Sequence, residues 1–136
     1  MKRIVLISCV GEKLPYKARA EELYTSTLFI LSMRYAKSLK PHAIFILSAK
    51  YGLTALDQEI EPYELTLNKM RKSQVENWAE IVLDQIRSHC DLQEHEFVIL
   101  AGQRYRKYLI PHMGHIEIPL KGLRIGEQLK WLKEHC

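Results

Sequence analysis

Four short apolar runs constrain this chain more than anything else in it: RIVLISC (3–9), AIFILSA (43–49), FVILA (97–101) and, more weakly, HIEIPL (115–120). They lack the alternation of a strand with one wet face, and such runs suit strands covered on both faces, as in a parallel sheet. Between the first two, Ala20, Leu23, Tyr24, Thr27, Leu28, Leu31 and Tyr35 recur at three-and-four spacing. That spacing predicts one amphipathic helix and therefore a parallel crossover. A second helix is expected to begin at Ser73-Gln74-Val75-Glu76, which has the form of a capping box, with Val75, Trp78, Ala79, Val82 and Ile86 as its apolar stripe. A shorter helix is expected from Gln103 to Leu109, stopped by Pro111, and a last one carries Ile125, Leu129 and Leu132 on one side. Strand alternating with helix predicts a three-layer α/β/α fold with a mostly parallel sheet of about four strands. Residues 52–72, with Pro62-Tyr63, show little regular pattern and read as an active-site cover or a small excursion.

With 136 residues, 47% of them hydrophobic, the chain has room for one substantial core, and a single domain over 1–136 is expected. No stretch approaches the roughly 18 apolar residues of a membrane span, and the opening MKRIVLISCVGEK reads as a first strand rather than a signal peptide. A cytoplasmic protein with no membrane partner is the expectation. Cys9, Cys90 and Cys136 are odd in number, far apart and free of any C-x-x-C pair, and they read as thiols. No two histidines sit at H-x-x-x-H spacing, so no metal is expected. No G-x-x-x-x-G-K-[ST] or G-x-G-x-x-G motif occurs, so nothing calls for a nucleoside triphosphate or dinucleotide cofactor. The net charge of +4 is concentrated from Arg104 onward, where seven basic residues face three acidic ones. This basic end reads either as an ordinary solvated helix face or as a surface for DNA or RNA.

Ligands of open parallel α/β sheets bind where strands end at their carboxyl termini. The unusual residues collect there. The first strand runs out through Ser8 and Cys9 to Lys13 and Tyr16; the second ends in Ser48, Lys50, Tyr51 and Gly52; the third ends in Gly102, Gln103 and Tyr105. A thiol, two lysines, phenols, hydroxyls and glycines on one edge suit a small anionic or aromatic ligand. Cys9 is a nucleophile activated by Lys13 or Lys50, or else a small buried hydrophobe at a strand end; either lysine could instead hold a phosphate or carboxylate. Tyr24 and Ser26 fall near the same edge, with Tyr24 on the apolar stripe of its helix and so also a core candidate. Tyr63 is placed to fold over the pocket or to anchor a hydrophobic lid. Trp78 and Trp131 read as packing residues. GLRIG (122–126) offers backbone amides before the last helix, a weak phosphate signal.

On these residues the whole chain resembles a family of small uncharacterised bacterial and phage proteins. The shared features are SC followed by Lys13, A-x-x-LY-x-S (Ala20 to Ser26), LSAKYGL, PY-x-L-x-L (Pro62 to Leu67), AG-x-x-Y (Ala101 to Tyr105) and PL-x-GL-x-IG (Pro119 to Gly126). LSAKYGLTALDQEIEPYELTL is also similar to a segment of the YaaA peroxide-stress family, which implies DNA binding and cyano-deazaguanine processing. SCVGEKLPY resembles the Pro-Cys-x-x-x-Lys-Pro-Tyr motif of archaeosine synthase, which adds an amine to a deazaguanine nitrile in transfer RNA. That likeness carries over Cys9, Lys13 and Tyr16; Ser8 stands where the motif has proline, and Leu14 is inserted before Pro15.

Two functional expectations follow. One is an enzyme or enzyme-like domain acting on a nucleobase or nucleotide, a Cys/Lys-dependent transferase or hydrolase on a base substituent. The other is a non-catalytic nucleic-acid-binding protein of stress response or phage biology, using its basic carboxyl-terminal face.

Overall fold

In the computed structural model, which describes residues 2–8 and 11–136, the apolar runs are strands β1 (Arg3–Ser8), β3 (Ala43–Ser48), β6 (Glu96–Leu100) and β7 (His115–Glu117). All four run parallel. A fifth, β4 (Gly52–Ala55), turns back antiparallel along β3 and completes a sheet of order β4-β3-β1-β6-β7. Two-residue strands β2 (Ala18–Arg19) and β5 (Glu59–Ile60) pair separately.

Both sheet faces are covered, which is why the runs do not alternate. Val5 lies in register with Ile44 and Val98, and these point to the layer of α2 (Thr27–Ser38) and α5 (Ile125–His135). Leu6, in register with Phe45 and Ile99, points the other way to α3 (Lys72–Arg87). Ile4 to Ile7 are at most 1% exposed. Burying each such side chain contributes about 2 kcal/mol relative to exposure. The expected stripe of α3 (Val75, Trp78, Ala79, Val82, Ile86) is buried, with Leu83 added to it.

Several boundaries differ from expectation for identifiable reasons. The single helix expected across residues 20–35 is two: α1 (Ala20–Leu23) stops at Tyr24, whose φ −89° and ψ 125° are extended, and α2 begins after Ser26. The chain leaving β1 pairs with this break, Leu14 N donating to Leu23 O at 2.8 Å and Thr25 N to Glu12 O at 2.9 Å. Ser26 Oγ then caps α2 by accepting from Phe29 N. The buried face of α2 is Phe29, Leu31, Ser32, Met33, Tyr35 and Ala36, while Thr27 is exposed.

Helix α3 starts ahead of the capping-box serine, because Gln74 Oε1 accepts from Arg71 N at 3.0 Å and fixes the start there. The helix expected over residues 103–109 is one turn, α4 (Gln103–Arg106), followed by a 3₁₀ turn at Ile110–His112 that contains Pro111. In α5 it is Leu132 that is buried; Ile125 is 59% exposed. Residues 52–72 hold β4, β5 and a 3₁₀ turn at Leu67–Lys69. No helix among the described residues is long and apolar enough to cross a membrane.

Candidate functional site at the strand ends

The crossover through α2 carries the chain from β1 to β3 on one side of the sheet. The crossover through α3 brings it back to β6 on the other side of β1, over the opposite face. The connections leaving β1 and β6 therefore part, and a crevice opens between the two strand ends, as the topology of such sheets requires.

A cavity of about 420 Å³ occupies it. Ser8, Leu100 and Ala101 lie at the strand ends; Gly102, Gln103, Tyr105 and Arg106 follow from β6. Ser26, Leu28, Phe29 and Ser32 form the α2 wall, and Ile118, Leu120, Gly122, Leu123, Ile125 and Gln128 the wall before and within α5. Arg106 is the single charged side chain among the described lining residues, and none is acidic. Gly102 N donates to Ser8 Oγ at 3.3 Å, tying the two exits together.

A wider hollow of about 720 Å³ adjoins it, lined by Lys13, Pro15, Tyr63, Thr66 and Lys69 among others, and the two share Asn68. The Lys13 ammonium stands 4.7 Å from the centre of the Tyr63 ring and 5.7 Å from that of Tyr24, while donating to Gly11 O at 3.2 Å. Such placement favours the cation over the ring faces.

Behind the hollow lies a hydroxyl triad. Ser48 Oγ accepts from Lys50 N (3.3 Å) and Tyr51 N (3.0 Å) and donates to Tyr63 Oη (2.7 Å), which is hydrogen-bonded in turn to Tyr24 Oη at 2.8 Å. Trp78 Nε1 donates to Ser48 O at 2.9 Å.

The candidate residues thus divide. Ser8, Ser26, Gly102, Gln103 and Tyr105 line the crevice, and Lys13 and Tyr63 the hollow beside it. Tyr24 and Ser48 are buried behind Tyr63. Lys50, Tyr51 and Gly52 line a separate depression with Trp78 and Ile81 on the α3 side, and Tyr16 is 61% exposed in neither cavity. Tyr105 is buried, its hydroxyl 3.4 Å from Thr66 Oγ1 and from Leu67 N. Cys9 lies outside the described residues.

Ser32, Asn68, Arg106, Ile118, Leu120 and Gln128 were missing from the sequence-based site, whereas the sequence does mark the GLRIG segment (122–126) in the same wall for its backbone amides. Ser32 did leave a trace, a hydroxyl inside an otherwise apolar stripe of α2; the others are brought in only by tertiary packing.

Of the described thiols, Cys90 is half-buried and desolvation pushes its pKa up, opposed by Lys2; Cys136 is exposed. Burial likewise raises the pKa of Tyr35, assisted by Glu117 and Cys136 and opposed by Arg3. None of these lines the crevice or the hollow beside it. Among the described residues no three His, Cys, Asp or Glu side chains converge as a metal site would require.

The fold and its crevice define a small α/β domain with a ligand-sized opening at the carboxyl ends of its parallel strands. Residues 4–134 match the model of a family of unknown function, DUF6884, and the chain belongs to that family. No curated protein matches it.

Proposed function

We propose that this chain binds a nucleobase or nucleotide of deazaguanine type at the strand ends and is an enzyme-like domain acting on a substituent of the base. The observation that carries the reading is the crevice between β1 and β6: apolar lining from Phe29, Leu100 and Leu120, hydroxyls and amides among it, no acidic lining residue, and a neighbouring hollow that holds Lys13 and Tyr63. An apolar slot with a few convergent polar groups suits a planar heterocycle.

The likeness of SCVGEKLPY to the archaeosine synthase motif, and of the LSAKYGL segment to YaaA proteins, supports a deazaguanine and supplies a reaction. The Cys9 thiolate, its proton already lost, adds to the nitrile carbon; an S–C bond forms as one C–N π bond breaks, and the nitrogen takes one proton from Lys13 or Tyr63 to give a neutral thioimidate.

The alternative, a basic face for duplex DNA or RNA, is less well supported. Arg104 donates from Nε to Leu67 O at 2.9 Å and also reaches Met70 O, and Arg106 donates to Ala101 O at 2.8 Å. The Arg104 guanidinium is taken up by the fold, and Arg106 lines the crevice rather than an open basic face.

Calorimetric titration with cyano-deazaguanine and with guanosine 5′-monophosphate tests the reading. At least one should bind, and Gly102→Val should weaken it at least roughly tenfold, because a Cβ at Gly102 meets no protein atom within 4 Å and the added side chain enters the crevice. Failure of both purines to bind the unmodified protein would remove the proposal.

A further inference from the structure

Two helices begin at the crevice. The twelve-residue α2 starts at Thr27 and the eleven-residue α5 at Ile125, and first-turn residues of both line the cavity. Helix amides of the first turn have no carbonyl within their own helix, and the helix dipole adds positive potential at that end. In α2, Ser26 Oγ takes Phe29 N and Ser26 O takes Ile30 N; the amides of Thr27 and Leu28 find no acceptor among the described residues.

A second observation is independent of the helix ends. Ser32, one turn further along α2, is 3% exposed and lines the same cavity. No described residue hydrogen-bonds its hydroxyl, yet no fully enclosed side-chain oxygen among the described residues lacks a partner. The Ser32 hydroxyl therefore keeps its open side toward the cavity. A hydroxyl that opens onto a cavity is completed there by water or by a ligand that displaces it.

The remaining charges agree. Arg106 lines the cavity with Nη1 donating to Ala101 O at 2.8 Å, which leaves further guanidinium donors over. The nearest acidic group in the wall sequence, Glu127, turns back to accept from Arg124 N at 3.0 Å and caps its own helix.

Resting on the proposed nucleotide reading, we infer that the crevice holds a phosphate between the first turns of α2 and α5, completed by Ser32 and Arg106. The substrate class is then a phosphorylated nucleoside rather than a free base. The phosphate takes the end of the crevice between the two helix starts and the ring the apolar stretch beside it, from which a base substituent reaches past Asn68 toward the Lys13 ammonium group.

The test compares guanosine 5′-monophosphate, guanosine and inorganic phosphate by calorimetry at constant ionic strength, on the full chain and two variants. The monophosphate should bind at least roughly tenfold more tightly than guanosine, the worth of one charge-assisted hydrogen bond. Ser32→Ala removes no hydrogen bond within the protein and should weaken the monophosphate about fivefold while leaving guanosine unchanged. Ile125→Asp alters an exposed residue at a helix start, where an acidic side chain suits the helix, and should weaken the monophosphate about tenfold through charge alone.

Equal affinity for guanosine and its monophosphate, insensitive to both variants, would overturn the phosphate subsite and leave the base reading intact. Binding of inorganic phosphate that depends on Ser32 and Ile125, without binding of either purine, would keep the subsite and overturn the nucleoside. No binding of any of the three would overturn both.

Discussion

The turn after β3 and the bend after β6 lie on the same edge of the sheet, and each contains a glycine. Gly52 has φ +72°, and a Cβ there would collide with the side-chain amide of Gln85, whose Oε1 accepts from Leu53 N at 2.8 Å. Beside it the Ser48 hydroxyl is fully engaged by two amides and Tyr63, and the Ser48 carbonyl by Trp78. Gly102 has φ −62°, and a Cβ there would meet nothing within 4 Å. Its surroundings retain an open-sided Ser32 and spare guanidinium donors. One exit is closed upon itself and acts as scaffold; the other leaves room and donors for something that is not protein. Odd residues at a strand end do not by themselves separate the two cases; whether neighbours already fill their valence and volume does.

The largest effect expected from this contrast is at Gly52. Gly52→Ala forces a left-handed backbone on a side chain and displaces Gln85 from Leu53 N, for a combined loss of about 3 kcal/mol. Urea unfolding measures it, and in the background of Gln85→Ala the same change should be milder, because the collision is gone and only backbone strain remains. A loss below about 0.5 kcal/mol would break the comparison at its stronger end.

Tyr63→Phe comes next. It deprives the Ser48 proton of its acceptor in a site that has no other use for it, and should lower stability by about 1–2 kcal/mol with no change in the urea dependence. If that variant proved neutral, the triad would have another acceptor and the β3 exit would be less closed than described. Smallest is Gly102→Ala, whose stability should stay within about 0.5 kcal/mol of the parent because nothing packs against the added methyl. A larger loss would show Gly102 to be structural as well, and the contrast would lapse.

The parallel strands were legible because burial on two faces writes itself as an unbroken apolar run, as in Arg3–Ser8 and Ala43–Ser48. Strand β4 was not, since Gly-Leu-Thr-Ala has no such run; it is a strand because β3 offers it an edge and Gln85 from α3 takes the Leu53 amide, both non-local facts. The stripe across Ala20, Leu23 and Tyr24 was read correctly as buried, yet it concealed the break before α2. Periodicity records which residues face the core, and it is indifferent to whether the backbone between them is paired within the helix or to a neighbouring loop. For the site, the edge could be read and the exits of β1 and β6 named. The exclusion of Lys50 and Gly52 from the crevice could not, because which strand ends adjoin depends on strand order.

The break at Tyr24 has a consequence for how the crevice comes into being. A helix continuing from Ala20 would consume the amides of Thr27 and Leu28 in its own ladder; instead α1 is a four-residue turn and α2 must nucleate afresh. A turn that short does not persist alone. It is held by burial of Ala20 and Leu23 and by the Leu14 and Thr25 amide bonds to its flanks. The amides that α2 leaves open at the crevice thus depend on the chain leaving β1, whose Leu14 and Glu12 pair with the break and keep one helix from running through it.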